Sequence, residues 1–249
     1  MDKVKKLLRI GVSALRKRAL WSQKPLLLHY EEVRDGFLHS SPPPLVLDAG
    51  CGGRPYAMPQ GKCKAVIGVD REAPDGETAG IDARVIGDLG ELPFRPDIFD
   101  MIVSLFVVEH LGAPAACFKE FNRVCKPGGV AIIVTPNLWH YANLIVALTP
   151  HWLHRWFDKA VLGGIFNPYP TTYRANSPKK LVSEMKKAGF ELVEVRLLEL
   201  DLGLAYLEWL TPAYAIGLMY HRLVNRFRVF SGLRHTILAS FRKVAQLSG

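Results

Sequence analysis

The sequence predicts an α/β fold: a doubly wound, mostly parallel sheet covered by helices on both faces, with helical extensions at its two ends. Three observations carry that expectation. Short apolar runs alternate with helical stretches through the middle of the chain, a glycine-rich turn follows the first such run, and the basic residues gather at the termini. Continuous apolar strands separated by helices belong to a parallel sheet buried on both faces. At 249 residues and 49% hydrophobic, the chain is long enough to bury a full core.

Residues 3–20 place Val4, Leu7, Leu8, Gly11, Val12, Leu15 and Ala19 at helical spacing, with basic residues largely on the other positions. This is a basic amphipathic helix inside an extension of residues 1–40, and it suits either packing on its own domain or lying on a membrane surface. Ser40-Ser41-Pro42-Pro43-Pro44 is a stiff break. A domain over residues 41–200 follows, with strands expected at Leu45–Ala49, Ala65–Asp70, Ala83–Ile86, Phe99–Leu105, Val130–Thr135 and Glu191–Leu198. Residues 136–176 are rich in Trp, Tyr, His and Pro and read as a lid or substrate insertion. Ser177-Pro178 then opens a helix as N-cap and first-turn proline, and Gly189 closes it. Residues 201–249 read as a basic, aromatic-rich helical extension.

Charge separates these regions. Residues 1–24 hold eight Lys or Arg against Asp2 alone, and residues 213–249 hold six and no acid, whereas residues 25–212 hold 18 basic and 22 acidic residues. The four cysteines, Cys51, Cys63, Cys117 and Cys125, form no C-x-x-C pair, and no signal peptide precedes them, so a reducing cytoplasm is the simplest expectation. No apolar run approaches the ~20 residues that span a bilayer. His140, His151 and His154 lack the carboxylate or cysteine companions of a metal site, and no metal is expected.

The turn Asp48-Ala49-Gly50-Cys51-Gly52 ends the first strand, where an open parallel sheet binds its ligand. The dinucleotide fingerprint requires a glycine at 55, and Pro55 stands there, so that cofactor is excluded. The D-x-G-x-G that remains resembles the class I S-adenosylmethionine-dependent methyltransferases, in the type 11-like group that includes quinone and small-molecule methyltransferases. The resemblance covers roughly residues 44–198. It continues through Val66-Ile67-Gly68-Val69-Asp70, Gly87-Asp88-Leu89 with Leu92-Pro93-Phe94, Val108-Glu109-His110-Leu111, and Cys125-Lys126-Pro127-Gly128-Gly129.

The resemblance implies a Rossmann-like, seven-stranded sheet and S-adenosylmethionine as cofactor. It also implies that Asp48 orients the turn near the cofactor's amino end, that Gly50 and Gly52 approach the methionine, and that Asp70 holds the ribose hydroxyls. Asp88 would face the adenine amino group and Leu89 pack on the ring; Cys51, Arg71, Ser104 and Glu109 complete the cofactor-binding set. Arg54 departs from the pattern, since many relatives keep a glycine there.

The cofactor brings an activated methyl, so catalysis is chiefly alignment of a nucleophile, with a general base useful for a hydroxyl acceptor. His110 is the candidate base, although the Glu109-His110 pair also suits a structural role. Asn137, His140 and Tyr141 follow the fifth strand and are candidates for touching the acceptor, as are Tyr173 and Arg174 in the loop 167–174. Apolar, aromatic and cationic residues interleave near the C-terminus, which favours an anionic membrane surface through residues 1–24 and 201–249. Nucleic acid is disfavoured, because the core leans acidic and no RNA-binding module is evident. The expectation is a cytoplasmic, peripheral membrane methyltransferase acting on oxygen of a lipid-linked or amphiphilic acceptor, a quinone-like phenol or lipid-linked sugar. An RNA or soluble small-molecule methyltransferase, or a non-catalytic module on the same fold, are the alternatives.

Overall fold

A computed structural model describes residues 25–38, 42–52, 62–72, 80–157, 159, 169–199 and 211–244. The amphipathic stretch 3–20, Arg54, most of the loop before Tyr169, and residues 201–210 lie outside the described residues. The sheet has seven strands in the order β3-β2-β1-β4-β5-β7-β6. These are β1 (Leu45–Ala49), β2 (Ala65–Asp70), β3 (Ala83–Ile86), β4 (Phe99–Leu105), β5 (Cys125–Pro136), β6 (Phe190–Leu198) and β7 (Thr236–Lys243).

The first five strands are parallel, with Val46 level with Val66 on one side and Met101 on the other. Chain order reverses between β1 and β4, which opens the ligand crevice at the C-terminal ends of those strands. β1 and β4 are buried almost throughout, as continuous apolar runs in a doubly covered sheet must be. β5 begins five residues earlier than expected, because the backbone stays extended through Lys126-Pro127-Gly128-Gly129; a register shift against Phe99 and Met101 absorbs the irregularity.

Helices α1 (Leu26–Asp35), α2 (Pro114–Val124), α3 (Tyr141–Leu148), α4 (His151–Phe157), α5 (Pro178–Lys187) and α6 (Thr211–Arg226) complete the described elements, with 3-10 turns at Val108–His110 and Arg228–Leu233. α2 buries Cys117, Phe118, Phe121 and Val124, one face at helical spacing. In α5 the Ser177 hydroxyl accepts the Lys180 N–H, as its N-cap position requires. Gly189, at φ +94, ends the helix against Asn122 of α2, whose Nδ2 donates to the Gly189 carbonyl at 3.2 Å; a Cβ on this glycine would lie 2.9 Å from that nitrogen.

The C-terminal extension is not wholly helical. Residues 236–243 form β7, buried on both faces except at Arg242, and supply the strand between β5 and β6. The basic residues around this short apolar run hid it. Lys243 ends a central strand because its ammonium donates to Asp97 and to the carbonyls of Asn122 and Cys125.

The chain divides into two compact units. One comprises Tyr30–Pro136, Pro170–Arg196 and Ile237–Gly249; the other comprises Met1–His29, Asn137–Tyr169 and Leu197–Thr236. The expected insertion and most of the C-terminal extension thus belong together. The second unit holds 14 basic and 5 acidic residues, and the sheet-bearing unit 18 of each, so the net charge of +9 falls on the second.

Candidate cofactor and acceptor site

The glycine turn is fastened to the end of β2. Gly50 and Cys51 both donate their N–H to the Val69 carbonyl, at 2.8 and 3.2 Å. Gly50 holds φ +83, and a Cβ there would fall 2.3 Å from Val107 Cγ2, so glycine is required by conformation and by space together. Beneath the turn, Gly68 makes room for Cys51, whose Sγ would be 2.8 Å from a Cβ at 68. Burial pushes the Cys51 thiol up to about 11, which keeps it protonated and apolar.

Asp70 links turn and strand. Its Oδ2 accepts from Gly52 N at 2.8 Å and its Oδ1 from Glu72 N at 3.3 Å. One backbone donor on each oxygen leaves lone pairs for a vicinal diol. Asp48 is buried, and burial pushes its carboxyl up to about 7, with Arg84 pulling it down and Asp70 adding to the rise. Arg84, on β3, donates Nη2 to the Gly52 carbonyl at 3.2 Å, while its Nε and Nη1 are buried without a hydrogen-bond partner among the described residues.

Past β3, Asp88 accepts from Gly90 N at 2.7 Å and from Arg71 Nη2 at 2.6 Å. The Gly90 amide and then Arg71 hold its carboxyl below the usual range. Arg71 therefore steadies Asp88 at an exposed edge, and Leu89 beside it is buried.

A second polar group gathers at the C-terminal ends of β4 and β5. Thr135 donates its hydroxyl to Glu109 Oε2 at 2.9 Å and accepts from Asn176 Nδ2 at 2.6 Å. Burial pushes the Glu109 carboxyl up to about 7, against its hydrogen bonds. The Glu109 carbonyl takes the N–H groups of Thr172 and Tyr173, tying that loop to the Val108–His110 turn. His110 Nδ1 lies 2.8 Å from the Pro170 carbonyl. A carbonyl only accepts, so Nδ1 carries the proton and Nε2 is the basic nitrogen of the neutral ring. Asn176 Oδ1 and Ser104 Oγ are buried without a hydrogen-bond partner among the described residues.

In the other unit, Asn137, His140 and Tyr141 come together around Glu199. Asn137 Nδ2 donates to the carbonyls of Gly232 and Arg234, each at 2.8 Å, and its Oδ1 accepts from Trp139 N. His140, fully buried, caps α3 by accepting Ala142 N at Nδ1, so its Nε2–H donates to Glu199 Oε1 at 3.2 Å. Glu199 Oε2 takes the His235 N–H at 2.9 Å. Burial pushes His140 down to about 4, and the Tyr141 phenol up to about 12. The rings of His140, Tyr141 and Tyr220 pack within 4.4 to 5.2 Å of one another. Asn137 and His140 spend their side-chain polar atoms on this framework, so in this arrangement they offer an acceptor molecule nothing.

His110 thus belongs to one unit and the Asn137–His140–Tyr141 group to the other. Arg84, Thr135 and Asn176 escaped the sequence reading. A threonine closing the apolar run Ile132–Val134 was a usable signal, whereas Asn176 was masked by the helix-start pattern beside it. A cavity of about 360 Å³ lined by Phe37, Pro44, Asp100, Lys126 and Arg242 lies at the opposite, N-terminal ends of β1, β4 and β5, away from the glycine turn.

Residues 47–133 match the methyltransferase domain family. A ubiquinone biosynthesis O-methyltransferase of Maricaulis maris is 29% identical over 126 residues, 46% of this chain and 49% of that one. One from Cereibacter sphaeroides is 28% identical over 158 residues, 60% of this chain and 61% of its own. The chain thus spans about half to three fifths of these relatives. An S-adenosylmethionine-dependent methyltransferase structure from Mesorhizobium loti shares the fold at TM-score 0.52 and 17% identity, covering 86% of this chain and 98% of that one. So does a geranyl diphosphate C-methyltransferase from Streptomyces coelicolor, solved with S-adenosyl-L-homocysteine, at TM-score 0.51 and 14% identity, covering 87% and 80%. Over residues 47–133 the chain is thus similar to the methyltransferase domain family, and the solved structures that share its fold include S-adenosylmethionine-dependent methyltransferases.

Proposed function

We propose that this chain transfers the methyl group of S-adenosylmethionine to an oxygen of a lipid-linked or otherwise amphiphilic small molecule, a quinone-like phenol or a lipid-linked sugar, at a membrane surface. The observation that carries the cofactor half is the Asp70 carboxylate, which holds the Gly52 amide and keeps lone pairs for the ribose diol. Asp48 lies under the turn to meet the cofactor's cationic amino end, and Gly50 and Gly52 let the backbone approach the methionine. Asp88, steadied by Arg71, takes the adenine amino group, and Leu89 packs on the ring. Ser104 and Glu109 close the pocket floor. The bound cofactor supplies a methyl on a positively charged sulfur, ready to leave.

His110 is the proposed base: with Nδ1 bound to Pro170, Nε2 takes the acceptor hydroxyl's proton as the oxygen is alkylated. Asn137 and His140 are proposed as positioning residues that hold Tyr141 and its helix. The O-methyltransferase names of the relatives support an oxygen acceptor. The test incubates the protein and methyl-labelled cofactor with membrane and soluble extracts, with products read by mass spectrometry. Label in a lipid-soluble phenol or sugar supports the reading, and label only in RNA overturns it.

A further inference from the structure

Within the unit that holds residues 137–169 and 197–236 together with 1–29, the described helices turn apolar side chains outward. On α6, Ile216 is 68% and Met219 70% exposed and Leu223 is exposed with them, and Phe227 is exposed immediately past the helix end. Their spacing of three and four residues draws one stripe along the helix, while Tyr214, Leu218, His221 and Val224 are buried on the opposite side. Arg222 and Arg226, both exposed, run along one flank of the stripe, and Arg228 follows it. No aspartate or glutamate occurs from 211 to 244. In the same unit, Trp152 and Trp156 stand exposed one turn apart on α4, and Ile145 and Leu148 on α3.

We propose that this unit docks on an anionic lipid bilayer through α6, with Ile216, Met219, Leu223 and Phe227 entering the headgroup–acyl boundary and Arg222 and Arg226 meeting lipid phosphates. An apolar stripe beside a cationic row, on a helix too short and polar to cross, is the geometry of an interfacial helix. Exposed tryptophans belong at the same depth, with the ring in the boundary and its N–H in the headgroups. Charge selects this occupant. A second copy would bring the Arg222, Arg226 and Arg228 row, with no acid between 211 and 244, against itself, and a nucleic acid would engage the arginines yet leave the stripe in water. Anionic lipid satisfies both halves.

The inference rests on the membrane-surface part of the proposed function, but its test uses neither cofactor nor acceptor and so fails independently of methyl transfer. The full chain is floated with phosphatidylglycerol–phosphatidylcholine vesicles and with phosphatidylcholine alone, and its tryptophan emission is followed. Binding to the anionic vesicles only, weakening with salt and accompanied by a blue shift, is expected. Met219→Ser with Phe227→Ser should weaken it at least tenfold, and Arg222→Gln with Arg226→Gln about thirtyfold at low salt, at ~1 kcal/mol per cation. Both pairs are solvent-facing, and unchanged thermal unfolding confirms that the fold persists. Binding undiminished in folded variants, equal binding to neutral vesicles, or binding of polyuridylate in place of vesicles would overturn the proposal.

Discussion

Asp48 and Glu109 are carboxyls that burial pushes up to about 7, and the sign of that shift can be measured. Each holds its proton in the folded chain at pH values where the unfolded chain has lost it. Their contribution to stability is therefore fully present near pH 4 and is lost as pH rises through about 7. Under the role proposed for Asp48, a cationic cofactor reverses the preference there, because it favours the ionised form. Affinity for S-adenosylmethionine should rise roughly tenfold from pH 6 to pH 8, and calorimetric titration of Asp48→Asn should show a flat profile. Gly50→Ala should destabilise the fold by about 2 kcal/mol or more, since it meets both a positive φ and the Val107 side chain. Urea unfolding measures this, and Val107→Ala should relieve part of it. The acids and glycines of this site were legible in the sequence because they sit in ordered motifs. Arg84 was not, since one cation in a four-residue strand carries no pattern.

The segment after β5, expected to touch the acceptor, also holds its surroundings through its polar side chains. Asn137 bridges to the 232–234 turn, and His140 ties the start of α3 to Glu199. Asn137→Ala or His140→Ala should each lower unfolding free energy by about 1–3 kcal/mol, the consequence of leaving buried partners unsatisfied. A residue that only touches substrate would leave the denaturation midpoint unchanged. β1 to β4 and α5 were legible because apolar runs bounded by turn residues, and an N-cap followed by proline, are local signals. β7 was not, because its burial depends on neighbours distant in sequence.

The whole molecule separates a charge-balanced sheet, which carries the glycine turn and the acids around it, from a cationic unit with apolar residues outward. Summed charge was visible from the start, whereas its assignment to one unit required seeing residues 1–29 group with 137–169 and 197–236. Among the described residues no helix is long and apolar enough to cross a membrane. The central claim remains the cofactor, and calorimetric titration of the full chain with S-adenosylmethionine tests it most directly, beside Asp70→Asn. The expected result is saturable binding to one site, weakened about 10- to 100-fold in the variant as a charge-assisted hydrogen bond to the ribose is lost. Absence of binding to the unaltered chain, or equal affinity in a folded Asp70→Asn variant, would contradict it.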